Sequence, residues 1–403
     1  MTIDGRGVGN PLAALVELSE REKSARGLTH TPFEIAQQPA TWESTFARVS
    51  SQKDALQRFL AEVLPGSRRG AAPTVYLIGA GTSDYVGRAL TSILRQQWQC
   101  DVIAVPSTEL VTNIENYVLP ERSYLWISFS RSGDSSEGVG VLEMARRTCP
   151  QVQQLVVTCN KDGKMSEMCA GLANAYVLVL DDAVNDRGLA MTSSFTNMVV
   201  AGHCLANLEN LAEYRPILDG LAAMGRHVLS TAAPVAEKVS ALRCRKACFV
   251  GSGALAAVAT ECALKALELT AGSIYTMAES TMGLRHGPMS ALDNETLFVS
   301  FLSSDERRRR YEIDLLDEIH AKGLGRVRVA VTPNASDDLK ALCDHLVVLD
   351  APPDFPDDYR APVDVVFGQL VGLFSSLEAG LQPDHPSPKG TINRVVSHVH
   401  IYP

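Results

Sequence analysis

The sequence predicts an α/β fold built on two parallel sheets, and three observations predict it. Val75-Tyr-Leu-Ile-Gly79 is an unbroken apolar run that passes through Ala80-Gly81-Thr82-Ser83 into a helical pattern. Ala247-Cys-Phe-Val-Gly251 repeats the scheme through Gly251-Ser-Gly-Ala254 into a second helix. After each, further short apolar runs alternate with helical stretches. Continuous apolar strands joined by helices indicate sheets covered on both faces, which is how parallel sheets are built. At 403 residues the chain is also long for one core, so two domains are expected.

Taken in order, the chain opens with an arm over 1–50. Leu12, Leu15, Val16 and Leu18 predict a short amphipathic helix. Thr31-Pro32-Phe33-Glu34 reads as a cap, a first-turn proline and a capping-box glutamate, and Pro39 breaks or restarts that helix before Trp42. The first domain is expected over 51–216. Its strands are 75–79, 101–105, 124–129, 155–158 and 176–180. A helix opens near Asp186, continues through Val199, Val200 and Leu205, and ends near Tyr214-Arg-Pro216. The second domain is expected over 217–381, with strands at 247–251, 274–277, 296–301, 327–331 and 346–349 and a last helix over 363–381, its start fixed by Pro362. The proline-punctuated tail, 382–403, is too polar for a core element and is expected to lie over the active site.

A net charge of −9 disfavours a nucleic-acid surface. The run Arg307 to Arg310, bounded by Asp305-Glu306 and Glu312, reads as the solvated start of a helix. Nine scattered cysteines include no CxxC pair; Cys244 and Cys248 lie close but lack histidine neighbours, which argues against zinc. Dispersed thiols suit a reducing compartment. The opening Met-Thr-Ile-Asp-Gly-Arg-Gly has no apolar signal region, and no stretch is long and apolar enough to span a bilayer, so a cytoplasmic protein is expected.

Two loops follow buried strands and open helices, placing them at the carboxyl edge of a sheet, where ligands bind in open α/β folds. They are Gly79-Ala-Gly81-Thr82-Ser83 and Ser130-Arg131-Ser132-Gly133-Asp134-Ser135-Ser136. Glycine lets the backbone approach an anion, while helix N–H groups and hydroxyls hold its oxygens. The same serines would also serve as helix caps, but there are more of them than capping requires, so a phosphate is the expected guest. A dinucleotide is disfavoured. Gly79-x-Gly81-x-x-Asp84 lacks the third small residue, and Gly251-x-Gly253-x-x-Ala256 lacks the acid expected about 20 residues later. There is no Walker motif.

The helix after Gly251 carries three charges on an otherwise small and aliphatic surface: Glu261, Lys265 and Glu268. The spacing i, i+4, i+7 puts them on one face. Arg285-His286-Gly287-Pro288 follows. A carboxylate, an ammonium and an imidazole at this proximity suit proton transfer on a small polar substrate. Taken singly, Glu261 and Lys265 could be an ordinary pair on a solvated edge, and His286 a turn residue.

Together these residues resemble a known family. Gly81-Thr82-Ser83, Ser130-x-Ser132-Gly133-x-Ser135, and Glu261-x-x-x-Lys265-x-x-Glu268 followed by His286-Gly-Pro resemble the tandem sugar isomerase (SIS) domains of glucosamine-6-phosphate synthase. The chain looks closer still to the stand-alone tagatose-6-phosphate ketose/aldose isomerases, also described as galactosamine-6-phosphate deaminase/isomerases. Glu34-Ile-Ala-Gln-Gln-Pro39, Ala190-Met-Thr-Ser-Ser-Phe-Thr196, Gly283-Leu-Arg-His-Gly-Pro288 and Gly390-Thr-Ile-Asn-Arg-Val-Val396 carry that likeness.

The resemblance implies two SIS domains, each a three-layer α/β/α sandwich, the first gripping phosphate and the second holding the acid/base residues. It implies that Ser130, Ser132 and Ser135, with the Arg131 backbone, hold a sugar phosphate, and that Gly81, Thr82 and Ser83 line the sugar or phosphate. Glu268 would move a proton between C1 and C2, with Lys265 and Glu261 beside it, and His286 would open the sugar ring from a neighbouring subunit. The synthase's C-terminal lysine is replaced here by Ser397, so a covalent imine to the chain is not expected, and neither is a metal or organic cofactor. The expected activity is conversion of galactosamine 6-phosphate to tagatose 6-phosphate and ammonia. Left open are plain aldose/ketose isomerisation, glucosamine-6-phosphate deamination, a sugar-phosphate–amino acid deglycase, and a non-catalytic sugar-phosphate sensor. The expected partners are a small-molecule sugar phosphate and further copies of the chain, as a homodimer or larger homo-oligomer, without nucleic acid or membrane.

Overall fold

The computed structural model describes residues 9–64, 72–396 and 399–402. Ser397 and the first residues of the chain therefore lie outside the described residues. Two compact units divide the chain. One holds 40–185, 193–217 and the described part of 393–403; the other holds the described part of 1–39, 186–192 and 218–392. We refer to them as the 40–217 unit and the 218–392 unit.

The 40–217 unit is built on five strands: β1 (Thr74–Gly79), β2 (Asp101–Pro106), β3 (Tyr124–Ser130), β4 (Gln153–Thr158) and β5 (Ala175–Val179). They form one parallel sheet in the order β2-β1-β3-β4-β5. The β1 and β3 strands are buried at every position, as the unbroken apolar runs required. Crossover helices such as Thr82–Trp98 and Ser136–Thr148 supply the covering layers.

The 218–392 unit repeats this plan with β6 (Lys246–Gly251), β7 (Tyr275–Ser280), β8 (Thr296–Phe301), β9 (Val327–Thr332) and β10 (His345–Val348). Its order is β10-β9-β8-β6-β7, again fully parallel, so β6 takes the place of β1 and β8 that of β3. The strand-to-helix turns match in detail. Gly81 (φ 55°, ψ −126°) and Gly253 (φ 60°, ψ −130°) precede their helices in nearly the same conformation, one that side-chain-bearing residues avoid.

Several local expectations needed correction. The segment after Asp186 becomes helical only at Ser193, and that helix stops at Ala206. A second, 31-residue helix, Leu211–Ala241, then runs straight through Pro216 and Pro234. Each proline removes a backbone hydrogen bond and costs about 3 kcal/mol. Burial of Leu221, Val228, Val239 and their neighbours, at about 1.5–3 kcal/mol per large side chain, offsets that cost. A stop was read where packing continued. The helix at the start of the arm ends at Val16, ahead of Leu18, and the last helix spans Ala361–Glu378.

The expected capping box at Thr31 does not form. His30 holds the cap position without a side-chain bond, and Thr31 is the first helical residue. Its hydroxyl instead donates to Asp384 Oδ1 at 2.8 Å, while Glu34 accepts from the Arg187 and Gly188 amides. Long-range partners outcompeted the local ones because Thr31, Glu34 and Asp384 are buried and must be satisfied where the fold brings them.

Candidate active site

Two groups of site residues come out of the fold, one in each unit. In the 218–392 unit, the Ala254–Leu269 helix presents Glu261, Lys265 and Glu268. Small residues on the rest of this helix let it sit close against the Ala361–Glu378 helix. A Cβ on Gly368 would stand 2.3 Å from Cys262 Sγ, and one on Gly372 would stand 3.0 Å from the Lys265 carbonyl oxygen. The backbones therefore approach to a distance only glycine permits.

That close packing buries the charges. Glu261 and Lys265 are fully buried, while the Glu268 side chain keeps 24% exposure. Lys265 Nζ donates to Glu268 Oε2 at 2.6 Å and stands 3.4 Å from Glu261 Oε1. An ammonium held between two carboxylates out of water is not a solvated-edge pair. Burying charge without a partner costs several kcal/mol, so the two fully buried charges, Glu261 and Lys265, depend on each other. The trio's one solvent-accessible carboxylate is Glu268. Burial, with the Glu261 and Asp364 charges beside it, pushes the Cys262 thiol well above its ordinary range, so that neighbour stays a neutral filler.

His286 ends a short 3₁₀ turn, Gly283–Arg285, and is exposed. Its backbone N–H donates to the Gly283 carbonyl at 2.9 Å. Gly287 beside it has φ 124°, which only glycine adopts readily. Arg285 Nε donates to Glu318 Oε2 at 2.6 Å and fastens the loop to the Glu306–Ala321 helix. The structure thus joins Glu261, Lys265 and Glu268 and presents His286 at the surface.

In the 40–217 unit, Ser130 ends β3 and Ser135 caps the Ser136–Thr148 helix, its Oγ accepting from the Gly138 N–H at 3.3 Å. Ser130 Oγ accepts from Gly133 N–H at 3.0 Å, and Ser132 Oγ from Asp134 N–H at 3.2 Å. Gly133 turns the chain at φ 67°. Gly81, Thr82 and Ser83 lie at the head of the neighbouring Thr82–Trp98 helix on β1, with both hydroxyl residues buried. All seven expected phosphate-loop residues therefore sit at the carboxyl edge of one sheet.

The particular contacts of the tail with this loop, and the state of Asp84 on the Thr82–Trp98 helix, were not read from the sequence. The Arg131 guanidinium donates to the Arg394 carbonyl, and Arg394 in turn donates to Asn185 Oδ1 at 2.7 Å. The Ser136 N–H donates to the Val396 carbonyl at 3.1 Å, and Ser136 Oγ accepts from Val399 N–H at 3.3 Å. The end of the chain is therefore stitched to the serine loop. Asp84, read only as a flaw in a fingerprint, is a buried carboxylate paired with Arg88 at 2.8 Å, and burial raises it above the usual carboxylate range. No local pattern announces either contact, since the partners converge only in the fold.

Residues 242–373 match the SIS domain family. A D-galactosamine-6-phosphate deaminase AgaS of Escherichia coli O157:H7 is 36% identical over 382 residues, covering 93% of this chain and 96% of that relative. The chain belongs to the AgaS family of SIS-domain proteins. A structure described as a tagatose-6-phosphate ketose/aldose isomerase from Clostridium novyi matches this AgaS-family chain with a TM-score of 0.90 and 29% identity, covering 94% of it and 96% of that chain. The tagatose-6-phosphate ketose/aldose isomerase from Escherichia coli matches with a TM-score of 0.81 and 33% identity, covering 93% and 96%. The two parallel five-stranded sheets flanked by helices are the two SIS domains of this AgaS-family chain.

Proposed function

We propose that this chain converts galactosamine 6-phosphate and water to tagatose 6-phosphate and ammonia. The observation that carries the chemistry is the buried Glu261–Lys265–Glu268 trio with Glu268 alone reaching solvent. In this reading Ser130, Ser132 and Ser135, with the Arg131 backbone and with Gly81, Thr82 and Ser83, hold the sugar phosphate. His286 assists ring opening to the free aldehyde. Glu268 removes the C2 proton, giving an enolamine across C1 and C2, and returns the proton to C1. That leaves an imine at C2, which water hydrolyses to the C2 ketone with release of ammonia. The Lys265 ammonium offsets the negative charge that grows on the C1 oxygen, and Glu261 holds Lys265 in place. The migrating proton is acidified by the adjoining carbonyl.

The relatives named as galactosamine-6-phosphate deaminases support the substrate. A plain ketose/aldose isomerase is the second reading, favoured by the name of the Escherichia coli structural neighbour, and it uses the same proton transfer. We place the enzyme in the cytoplasm, where nine buried thiols would stay reduced. No helix among the described residues is long and apolar enough to cross a membrane. We also propose a homo-oligomer, because an exposed imidazole next to a rigid Gly-Pro turn suits presentation to a second copy.

The deciding assay is ammonia release from galactosamine 6-phosphate and glucosamine 6-phosphate, with wild type and Glu268→Gln in parallel. Release from the galactosamine ester, lost in the variant, supports the proposal. No ammonia, with tagatose 6-phosphate instead converted to an aldose phosphate, moves the assignment to the second reading.

A further inference from the structure

The carbonyls of the serine loop are held from outside it. β4 ends at Thr158, and the loop that follows, Cys159-Asn160-Lys161-Asp162-Gly163, lies against Ser132 and Gly133. Asn160 Nδ2 donates to the Ser132 carbonyl at 2.8 Å. The Met165 N–H donates to the next carbonyl, that of Gly133, at 2.9 Å, and the Lys164 N–H donates to Asp134 Oδ1 at 3.0 Å. Acceptors on three consecutive loop residues are therefore turned toward the segment after β4.

A trans peptide points its N–H away from its C=O, so each fixed carbonyl aims the amide that follows it. The peptide anchored by Asn160 carries the Gly133 N–H, which donates to Ser130 Oγ at 3.0 Å. The peptide anchored by Met165 carries the Asp134 N–H, which donates to Ser132 Oγ at 3.2 Å. A hydroxyl has one proton and two lone pairs. A loop amide takes up a lone pair on each of these serines, which leaves the hydroxyl proton to donate to a bound anion. Of the two anchors, only Asn160 acts through a side chain.

Asn160 is itself fixed. Its N–H donates to Thr158 Oγ1 at 3.2 Å, its Oδ1 accepts from the Asp162 N–H at 3.1 Å, and its carbonyl accepts from the Ser166 hydroxyl at 3.2 Å. The approach of the two loops requires Gly163. A Cβ there would stand 2.7 Å from the Ser132 carbonyl oxygen and 3.0 Å from Gly133 Cα. Gly163 has φ −74°, which any residue adopts, so the demand at this position is for space alone.

We propose that Asn160 is a positioning residue for the substrate's phosphate. By holding the Ser132 carbonyl it sets the Ser132–Gly133 peptide and, through that peptide, orients the Ser130 hydroxyl as a phosphate donor. Gly163 keeps the β4 loop close enough for the contact. Neither residue takes part in proton transfer, so both govern affinity for the phosphate and leave the chemistry at C1 and C2 unchanged. This positioning rests on the phosphate grip proposed at Ser130–Ser135.

The test measures the affinity for inorganic phosphate by isothermal titration, and KM and kcat for ammonia release from galactosamine 6-phosphate. Wild type, Asn160→Asp, Gly163→Ala and Ser132→Ala are compared. Asn160→Asp keeps the shape and the acceptor for the Asp162 N–H, but replaces the donor to the Ser132 carbonyl with an oxygen. It should weaken phosphate binding about tenfold and raise KM by a similar factor, with kcat within about twofold of wild type. Its thermal midpoint in chloride should match wild type, because Asn160 is only partly buried. Gly163→Ala should raise KM in the same way, and a wild-type KM there would overturn the glycine's part. Wild-type phosphate affinity in Asn160→Asp, or a fall in kcat at unchanged KM, overturns the proposal when Ser132→Ala has lost affinity. A Ser132→Ala that binds phosphate as wild type does, or a wild type that binds none, overturns the grip and this positioning with it. Should Asn160→Asp fail to fold, Asn160→Ala goes through the same comparison with the same deciding outcomes. A wild type that binds phosphate but releases no ammonia moves the KM and kcat comparison to tagatose 6-phosphate isomerisation.

Discussion

Glu268 and Lys265 differ in what their loss should do, because one touches solvent and the other does not. Glu268→Gln keeps shape and a hydrogen-bond acceptor at a partly exposed position. It should lower the rate of ammonia release by roughly 10²–10⁴-fold, the usual worth of a positioned base. Its thermal midpoint should stay close to wild type, and unchanged ammonia release from the folded variant would refute a catalytic role. Lys265→Met should instead destabilise the protein by about 3–5 kcal/mol, since it strands the fully buried Glu261 without its counter-charge. Denaturant titration of the two variants separates the roles. The i, i+4, i+7 spacing made this face visible in the sequence. Spacing could not say whether the face was wet or dry, because that depends on the glycines of another helix more than a hundred residues away.

Packing between the Ala254–Leu269 and Ala361–Glu378 helices is the element-scale condition for the site. Its weak point is Gly368, whose added Cβ would meet Cys262 Sγ at 2.3 Å. Gly368→Ala should cost about 1–3 kcal/mol, read as a lowered denaturation midpoint, because a close-packed interface must shift to admit the methyl group. A neutral result would show that the helices are not clamped there. The chain end gives a second prediction at this scale. Arg131→Ala removes the guanidinium that holds the Arg394 carbonyl. Trypsin should then cut after Arg394 faster than in wild type, while the core stays intact. Equal cleavage rates would mean that the Ser136 contacts hold the tail unaided. Most strands were legible to within a residue or two, since each followed a period or a turn signal, whereas short helices such as Lys53–Ala61 and Ser107–Thr112 were not read. The Leu211–Ala241 helix was the main departure. Pro216 is a sound local stop, overruled by burial that local sequence does not display.

Across the molecule, burial raises several carboxyls instead of lowering them. Glu34 is pushed up to about 8 by burial and by the Asp186 charge, Glu312 up to about 7 and Asp364 up to about 6, burial being the largest cause in each. Their folded values lie above their unfolded ones, so the native state holds protons that the unfolded chain releases. Stability from these groups is full below about pH 4.5 and is lost as pH rises through 6 to 8. The thermal midpoint should therefore decline between about pH 4.5 and 8. Glu34→Gln should flatten the upper part of that decline, each shifted unit being worth about 1.4 kcal/mol. A midpoint that rises over this range would contradict the assignment. Glu34 accepts the Arg187 and Gly188 amides, so its protonation bears directly on how the arm is tied to the 186–192 segment.

The sequence by itself determined the two parallel sheets, the glycine turns that open their helices, the serine loop and the charged helix face. These are set by short-range period and by φ values only glycine takes, both of which can be read in a few neighbouring residues. Tertiary structure alone decided that Lys265 is dry, that Arg131 reaches the tail and that Thr31 and Glu34 serve distant partners. Each of these pairs a polar group with a donor or acceptor far along the chain. The physical reason is common to them. A buried polar group must find some partner, but which partner it finds is fixed by which segments the fold brings into contact.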